Sequence, residues 1–210
     1  MIFVTGADWR FKDIVKQWSK HLDEFNYEYR IYDLGNLGYG VKGHEVEDLN
    51  FINDGYYNSI RGKWKSTALW KPAAILDAMA NTTDNIVYLD ADSYVMKPLD
   101  IDFNFDVGVV ERTPKPDKDP IKIMMRGNFN AGVLFFRNCP EVRALITEWK
   151  ERIQETKNDQ ATLNMLLVRT SLKLKIYPYW YNTNLNNQET VIYHQAGAVK
   201  NGKVVRQTYY

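Results

Sequence analysis

The residues best suited to chemistry lie in Val87-Tyr88-Leu89-Asp90-Ala91-Asp92-Ser93. Two carboxylates follow directly on an apolar run, the place where open α/β sheets put their ligand crevice. In an extended chain residues i and i+2 point to one side, so Asp90 and Asp92 can converge on one ion. Hard oxygen ligands of this kind suit Mg²⁺ or Mn²⁺, above all where a substrate diphosphate adds further oxygens. The plainer use of such a pair is a turn or a helix cap. Phe129-Asn130-Ala131-Gly132-Val133-Leu134-Phe135-Phe136 is the second feature. Asn130 would stand at the mouth of the crevice ahead of a buried strand, and Gly132 would permit a close approach. Asn158-Asp159-Gln160, with Leu163-Asn164 after it, reads as a helix start whose Asp159 carboxylate and Gln160 amide could face a substrate. Last comes His194-Gln195-Ala196-Gly197-Ala198-Val199-Lys200, which offers an imidazole for a metal, a glycine for close approach and a cation for phosphate.

Short apolar runs alternating with amphipathic stretches must position these groups, the pattern of an α/β domain. Met1–Thr5 reads as a buried strand ended by Gly6, and Phe11–Phe25 as a helix with Phe11, Ile14, Val15, Trp18 and Leu22 on one face. Tyr27–Asp33 alternates as a strand and runs into the Gly-rich 34–43. A helix over Ser66–Ala80 carries Leu69, Ala73, Leu76 and Ala80, with Asp77 off the stripe. Strands are expected at Asn85–Leu89, Phe105–Val110 and Gly132–Phe136, and helices at Glu141–Glu155 and Asp159–Arg169. Thr113–Gly127, with Lys115, Lys118, Lys122 and Arg126, reads as a charged loop able to act as a lid. From Ser171 on, aromatics, Asn and Lys mix without clear period. There Tyr177-Pro178-Tyr179-Trp180-Tyr181-Asn182 offers either packing or a stacking surface for a sugar. Without repeats or a long linker, residues 1–210 read as one domain.

Composition excludes several classes. The 210 residues carry 27 Lys+Arg against 26 Asp+Glu, so no global field recruits a long nucleic-acid track or a membrane surface. A single cysteine, Cys139, makes neither an internal disulfide nor a zinc cluster. The start reads as a strand and not as a secretory leader, and no apolar run reaches transmembrane length. A cytoplasmic protein is the simplest expectation.

The ordered set D-A-D, F-N-A-G-V-L, D-Q-x-x-L-N and H-x-x-G-x-x-K resembles the family 8 glycosyltransferases. These include glycogenin and the bacterial galactosyltransferases that build lipo-oligosaccharide. The resemblance implies the GT-A fold: a Rossmann-like nucleotide-sugar-binding mixed sheet flanked by helices. It also implies Mn²⁺-dependent transfer of a hexose from a UDP-sugar with retention of configuration. By that resemblance Asp90, Asp92 and His194 would be the metal ligands, with Ala91 between them, and Gly197 and Lys200 would meet the diphosphate. Thr5, Ala7, Asp8 and Phe11 would form the nucleotide side, Asp8 reading uracil and Phe11 stacking in place of the family's Tyr. Lys71 would steady the donor, and Asp159, Gln160 and Asn130 would surround the transferred sugar. Asp159 or Gln160 would act as nucleophile or oxocarbenium stabiliser. Lys200 is followed by Asn201-Gly202 where the family has Pro-Trp. The acceptor is open between glycan, lipid, protein and modified base, as is the oligomeric state. Two other readings fit parts of the pattern: a nucleotide-sugar-binding protein without turnover, and a haloacid-dehalogenase-type phosphatase with Asp90 as nucleophile.

Overall fold

Apolar runs such as Ile2-Phe3-Val4 and Ile86-Val87-Tyr88-Leu89 are buried on both sides, as strands inside a layered α/β sheet must be. The computed structural model describes residues 1–34, 37, 43, 70–112, 127–156, 158–185, 187–195, 199–200 and 203–204. Its strands are β1 (Ile2–Ala7), β2 (Glu28–Asp33), β3 (Ile86–Leu89), β4 (Ser93–Val95), β5 (Val107–Glu111), β6 (Phe129–Phe136), β7 (Leu174–Tyr177), β8 (Ile192–His194), β9 (Val199–Lys200) and β10 (Lys203–Val204). The helices are α1 (Lys12–Asp23), α2 (Lys71–Ala80), α3 (Pro140–Thr156) and α4 (Asp159–Arg169). Ser66–Leu69, expected to begin α2, and most of the charged loop 113–127 lie outside the described residues.

A six-stranded mixed sheet runs in the order β2-β1-β3-β6-β5-β7. β1 is parallel to both β2 and β3, whereas β6 is antiparallel to β3 and β5. The chain therefore leaves β1 for opposite sides, and the crevice beyond the carboxyl ends of β1 and β3 is the topological switch point. β4 pairs antiparallel with β8, Ser93 opposite His194, and so brings the tail of the chain back to the end of β3.

Strand alternation splits the core into two layers. Ile86, Tyr88, Leu134 and Phe136 face α2, α3 and α4, packed with Ala74, Met79, Ile146, Trp149 and Leu163. Val87, Leu89, Val133 and Phe135 face the other way, toward Ile14, Val15, Trp18 and Leu22 of α1. Each such side chain contributes about 1.5–3 kcal/mol by leaving water, and the strands that present the site are among the most deeply buried of the described residues.

Three expectations need correction. β1 does not end at Gly6 but passes through it to Ala7, because the ring of Trp70 occupies the place of a side chain there, 2.6 Å from where a Cβ would sit. β6 begins at Phe129 rather than Gly132, so Asn130 lies within the strand instead of ahead of it. The shift is absorbed by an irregularity: Val109 pairs with Leu134 while its neighbour Val110 pairs with Asn130. The region after Ser171, without period in sequence, supplies β7 to the main sheet and β8 to the site. Asp77, off the apolar stripe of α2, accepts from Tyr32 Oη at 2.6 Å and pairs with Arg30 at 3.4 Å, tying the helix to β2.

Candidate active site

Asp90 follows β3 and is fixed by its own backbone, whose N–H donates to the Gly132 carbonyl at 2.8 Å. Its carbonyl accepts from Ser93 N–H at 2.9 Å, which closes the turn carrying Asp92. Because β3 alternates, Asp90 emerges on the same face as Tyr88, and Tyr88 Oη donates to Asp90 Oδ1 at 2.7 Å. Lys71, at the start of α2, lies on that face too. Its Nζ sits 3.0 Å from Asp90 Oδ1 and 2.7 Å from Asp159 Oδ2, and donates to the Ala131 carbonyl at 3.4 Å. Burial works against the Lys71 charge, but Asp159 and Asp90 outweigh it and hold its pKa above the ordinary lysine value. Burial, reinforced by Asp90, pushes the Tyr88 phenol well above its usual value, so it remains a donor.

On the other side of Asp90, ligand atoms from Asp90, Asp92 and His194 all lie within 4.8 Å of one another. His194 Nε2 is 3.2 Å from Asp92 Oδ1, and Nδ1 is 2.6 Å from Asn182 Oδ1. An amide oxygen only accepts, so Nδ1 carries a proton and Nε2 is the nitrogen turned to the carboxylates. Burial disfavours the imidazolium, yet Asp92 and then Asp90 raise the His194 pKa overall. A divalent ion would take the place of any proton on Nε2, and the donor set of two carboxylates and an imidazole fits Mn²⁺ or Mg²⁺. Gly132 keeps this corner open: a Cβ there would lie 2.7 Å from Asp90 Oδ2 and 3.0 Å from His194 Cε1.

Asp159 starts α4, where Asn158 caps the helix by accepting from Ala161 N–H at 3.0 Å. The capping role expected for this segment therefore falls to Asn158, which leaves the Asp159 side chain for Lys71. Asn130 turns its Oδ1 to the Gly132 N–H at 2.7 Å, beside the acidic pair. Gln160 is half-buried in the first turn of α4. Lys71, Asp90, Asp92, Asn130, Asp159 and His194 are thus brought together.

The expected nucleotide side is less open. Asp8 is buried just after β1, its carbonyl accepting from Phe11 N–H at 2.9 Å, and Ala7 and Ala91 are buried in the core layer that faces α1. Phe11 packs partly against the α1 face of the core, while its neighbour Trp9 is 59% exposed. Thr5 is fully buried, and its Oγ1 has no hydrogen-bond partner among the described residues. Gly197 and the side chain of Lys200 lie outside the described residues; the backbone of Lys200 belongs to β9. Tyr88 and Asn182 are the site residues that sequence reasoning missed in these roles. A tyrosine in an apolar strand signals core, which Tyr88 also is, and Asn182 stands in an aromatic stretch that suggests stacking.

The family model for nucleotide-diphospho-sugar transferases matches residues 61–203, well over half of the chain. The chain belongs to that family. The transferase also shares its fold with solved glycosyltransferases. One, involved in the glycosylation of the major capsid of PBCV-1, matches with a TM-score of 0.61 at 13% identity over 93% of this chain and 94% of that one. The galactosyltransferase LgtC, in complex with donor and acceptor sugar analogs, matches with a TM-score of 0.60 at 17% identity over 94% and 87%. No curated protein sequence matches this one. The fold is the mixed α/β GT-A fold, in agreement with the family 8 resemblance, and the enzyme is a glycosyltransferase acting on a nucleotide-sugar donor. The phosphatase reading falls with that membership. No helix among the described residues is long and apolar enough to cross a membrane.

Proposed function

We propose that this transferase moves a hexose from a UDP-sugar to an acceptor, with retention of anomeric configuration, and depends on Mn²⁺ or Mg²⁺ held by Asp90, Asp92 and His194. The observation that carries the reading is the meeting of those three residues at the switch point with the Lys71–Asp159 pair beside them. When bound, the cation would act as a Lewis acid that neutralises the departing diphosphate. Lys71 anchors Asp159, whose fixed carboxylate would face the transferred sugar and stabilise an oxocarbenium-like carbon or attack it. Asn130 and Gln160 would hold the sugar hydroxyls by hydrogen bonds. Asp8 and Phe11 would take the uracil, and Gly197 and Lys200 the phosphates. Residues 1–210 are read as one glycosyltransferase domain, and a cytoplasmic setting suits a chain whose one thiol, Cys139, is free.

Release of UDP from UDP-glucose and UDP-galactose, measured with and without Mn²⁺, tests this. Turnover should require the metal, and Asp92→Asn should lower it at least 100-fold, the scale of losing one oriented electrostatic contact, about 3 kcal/mol. Equal turnover in Asp92→Asn or in chelator would refute the reading. Stabilisation by UDP-sugar without any UDP release, hydrolytic or acceptor-dependent, would instead mark a nucleotide-sugar binder.

A further inference from the structure

The two oxygens of Asp90 have different neighbours. Oδ1 accepts from Tyr88 Oη at 2.7 Å and lies 3.0 Å from Lys71 Nζ. Among the described residues, both of these polar groups use the same oxygen. Oδ2 instead borders the corner left by Gly132, where a Cβ would come within 2.7 Å of it, 3.0 Å of His194 Cε1 and 3.1 Å of Asn130 Oδ1. Among the described residues no hydrogen bond or ion pair reaches Oδ2, the oxygen that shares the Gly132 corner with His194.

Tyr88 is well placed to impose this division. It is wholly buried in the central strand β3, packs against Trp70 with ring centroids 5.9 Å apart, and has Lys71 Nζ 5.4 Å above its ring. Its hydroxyl has no freedom to follow the carboxylate; the carboxylate must come to it. A carboxylate so tied gives a cation its second oxygen only at the expense of those contacts, so single-oxygen coordination is favoured. Octahedral Mg²⁺ and Mn²⁺ accept single-oxygen carboxylates readily, whereas Ca²⁺ takes more oxygens and gains from bidentate ones.

We infer that Tyr88 is a positioning residue that, together with Lys71, commits Asp90 Oδ1 to the protein and makes Asp90 a one-oxygen ligand through Oδ2, biasing the site toward small octahedral cations and against Ca²⁺. The inference rests on the proposed reading that Asp90, Asp92 and His194 hold the cation.

Direct binding of Mn²⁺ and of Ca²⁺, each measured by calorimetry in the presence of UDP for the full chain and for Tyr88→Phe, tests it. The variant keeps the ring and removes only the hydroxyl. Mn²⁺ affinity should fall about tenfold, as for loss of other groups that orient a ligand, while Ca²⁺ affinity should hold or rise, so the preference for Mn²⁺ narrows. A merely structural tyrosine would weaken both ions alike, and an unchanged Mn²⁺/Ca²⁺ ratio in a folded variant would overturn the inference. Should Tyr88→Phe not fold, a crystal structure of the unaltered protein with UDP and Mn²⁺ decides. Coordination through Oδ2 alone, with the Tyr88–Oδ1 bond intact, supports the inference, and coordination through both oxygens refutes it. Absence of any Mn²⁺ binding by the unaltered protein would strike the site reading itself, a different failure from a bound ion that is indifferent to Tyr88.

Discussion

Lys71 is a buried ammonium between two carboxylates, and its geometry decides what it does before any ligand arrives. At 3.0 Å and 2.7 Å from Asp90 and Asp159 it holds together two negative groups that would otherwise repel across the crevice. Its pKa is raised, so the stabilisation is fully present below the ordinary lysine value and is lost only as the pH climbs through the raised one. Through the neutral range the clamp is therefore constant. Lys71→Met keeps the length and removes the charge. Breaking a buried pair by deleting one partner costs about 3–5 kcal/mol. With Asp159 and Asp90 still 18% and 27% exposed, the low end, about 3 kcal/mol, is expected. Urea unfolding without metal should show that loss, and Mn²⁺ with UDP should restore part of it by returning positive charge to Asp90. A folded Lys71→Met of unchanged stability would show that the two aspartates do not need the clamp. In sequence, Lys71 stands out only through the family resemblance. Its partnership with Asp159, eighty-odd positions away, has no local signature.

At the scale of elements, β6 shows why the site was only partly legible. Its apolar run Val133-Leu134-Phe135-Phe136 declares itself, whereas Asn130 and Gly132 break the pattern and look like a preceding loop. The structure retains them in the strand through the irregularity opposite Val109 and Val110, of the kind that re-aims side chains beside functional sites. What replaces the missing apolar periodicity is Asn164 of α4. Its amide accepts from Phe129 N–H at 2.9 Å and donates to the Phe129 carbonyl at 3.0 Å, imitating a neighbouring strand. It also donates to the Gln160 carbonyl at 2.8 Å, so one side chain locks the start of β6 to the first turn of α4. Asn164→Ala leaves a backbone donor and acceptor without their partner, which costs about 1–3 kcal/mol for each group kept from water. Hydrogen exchange should then speed up at Phe129–Ala131 and remain slow at Val133–Phe136, which β3 and β5 still hold. Acceleration spread evenly along β6 would show that the clamp is not local.

At the scale of the whole molecule, the site is a meeting of distant segments at one end of the sheet, beyond the carboxyl ends of its central strands. Asp90 and Asp92 come from the β3–β4 turn, His194 from β8, Lys71 from α2 and Asp159 from α4. The order of strands and helices could be read from apolar runs and amphipathic spacing. The return of β8 onto β4 could not, because strands of three residues carry too little pattern to announce a partner. A ligand that joins these segments binds the folded state and not the unfolded chain, so it stabilises the whole by mass action. At a concentration 100 times its dissociation constant, UDP with Mn²⁺ contributes about 2.7 kcal/mol. For a chain of this length that raises Tm by roughly 5–10 °C. His194 sets the pH dependence of the gain. Its raised pKa means that the protonated form stabilises the protein alone at acidic pH, a contribution lost as the pH rises through the folded-state value. Metal binding must displace that proton, so its sign is opposite: the Tm gain should be largest above the raised His194 pKa and shrink as the pH falls through it. Differential scanning fluorimetry across that range, with and without Mn²⁺ and UDP, measures it. His194→Gln, an oxygen ligand without the titration, should give a smaller gain that is flatter with pH. A gain in the unaltered protein that is the same on the acidic and alkaline sides would remove His194 from the cation's coordination.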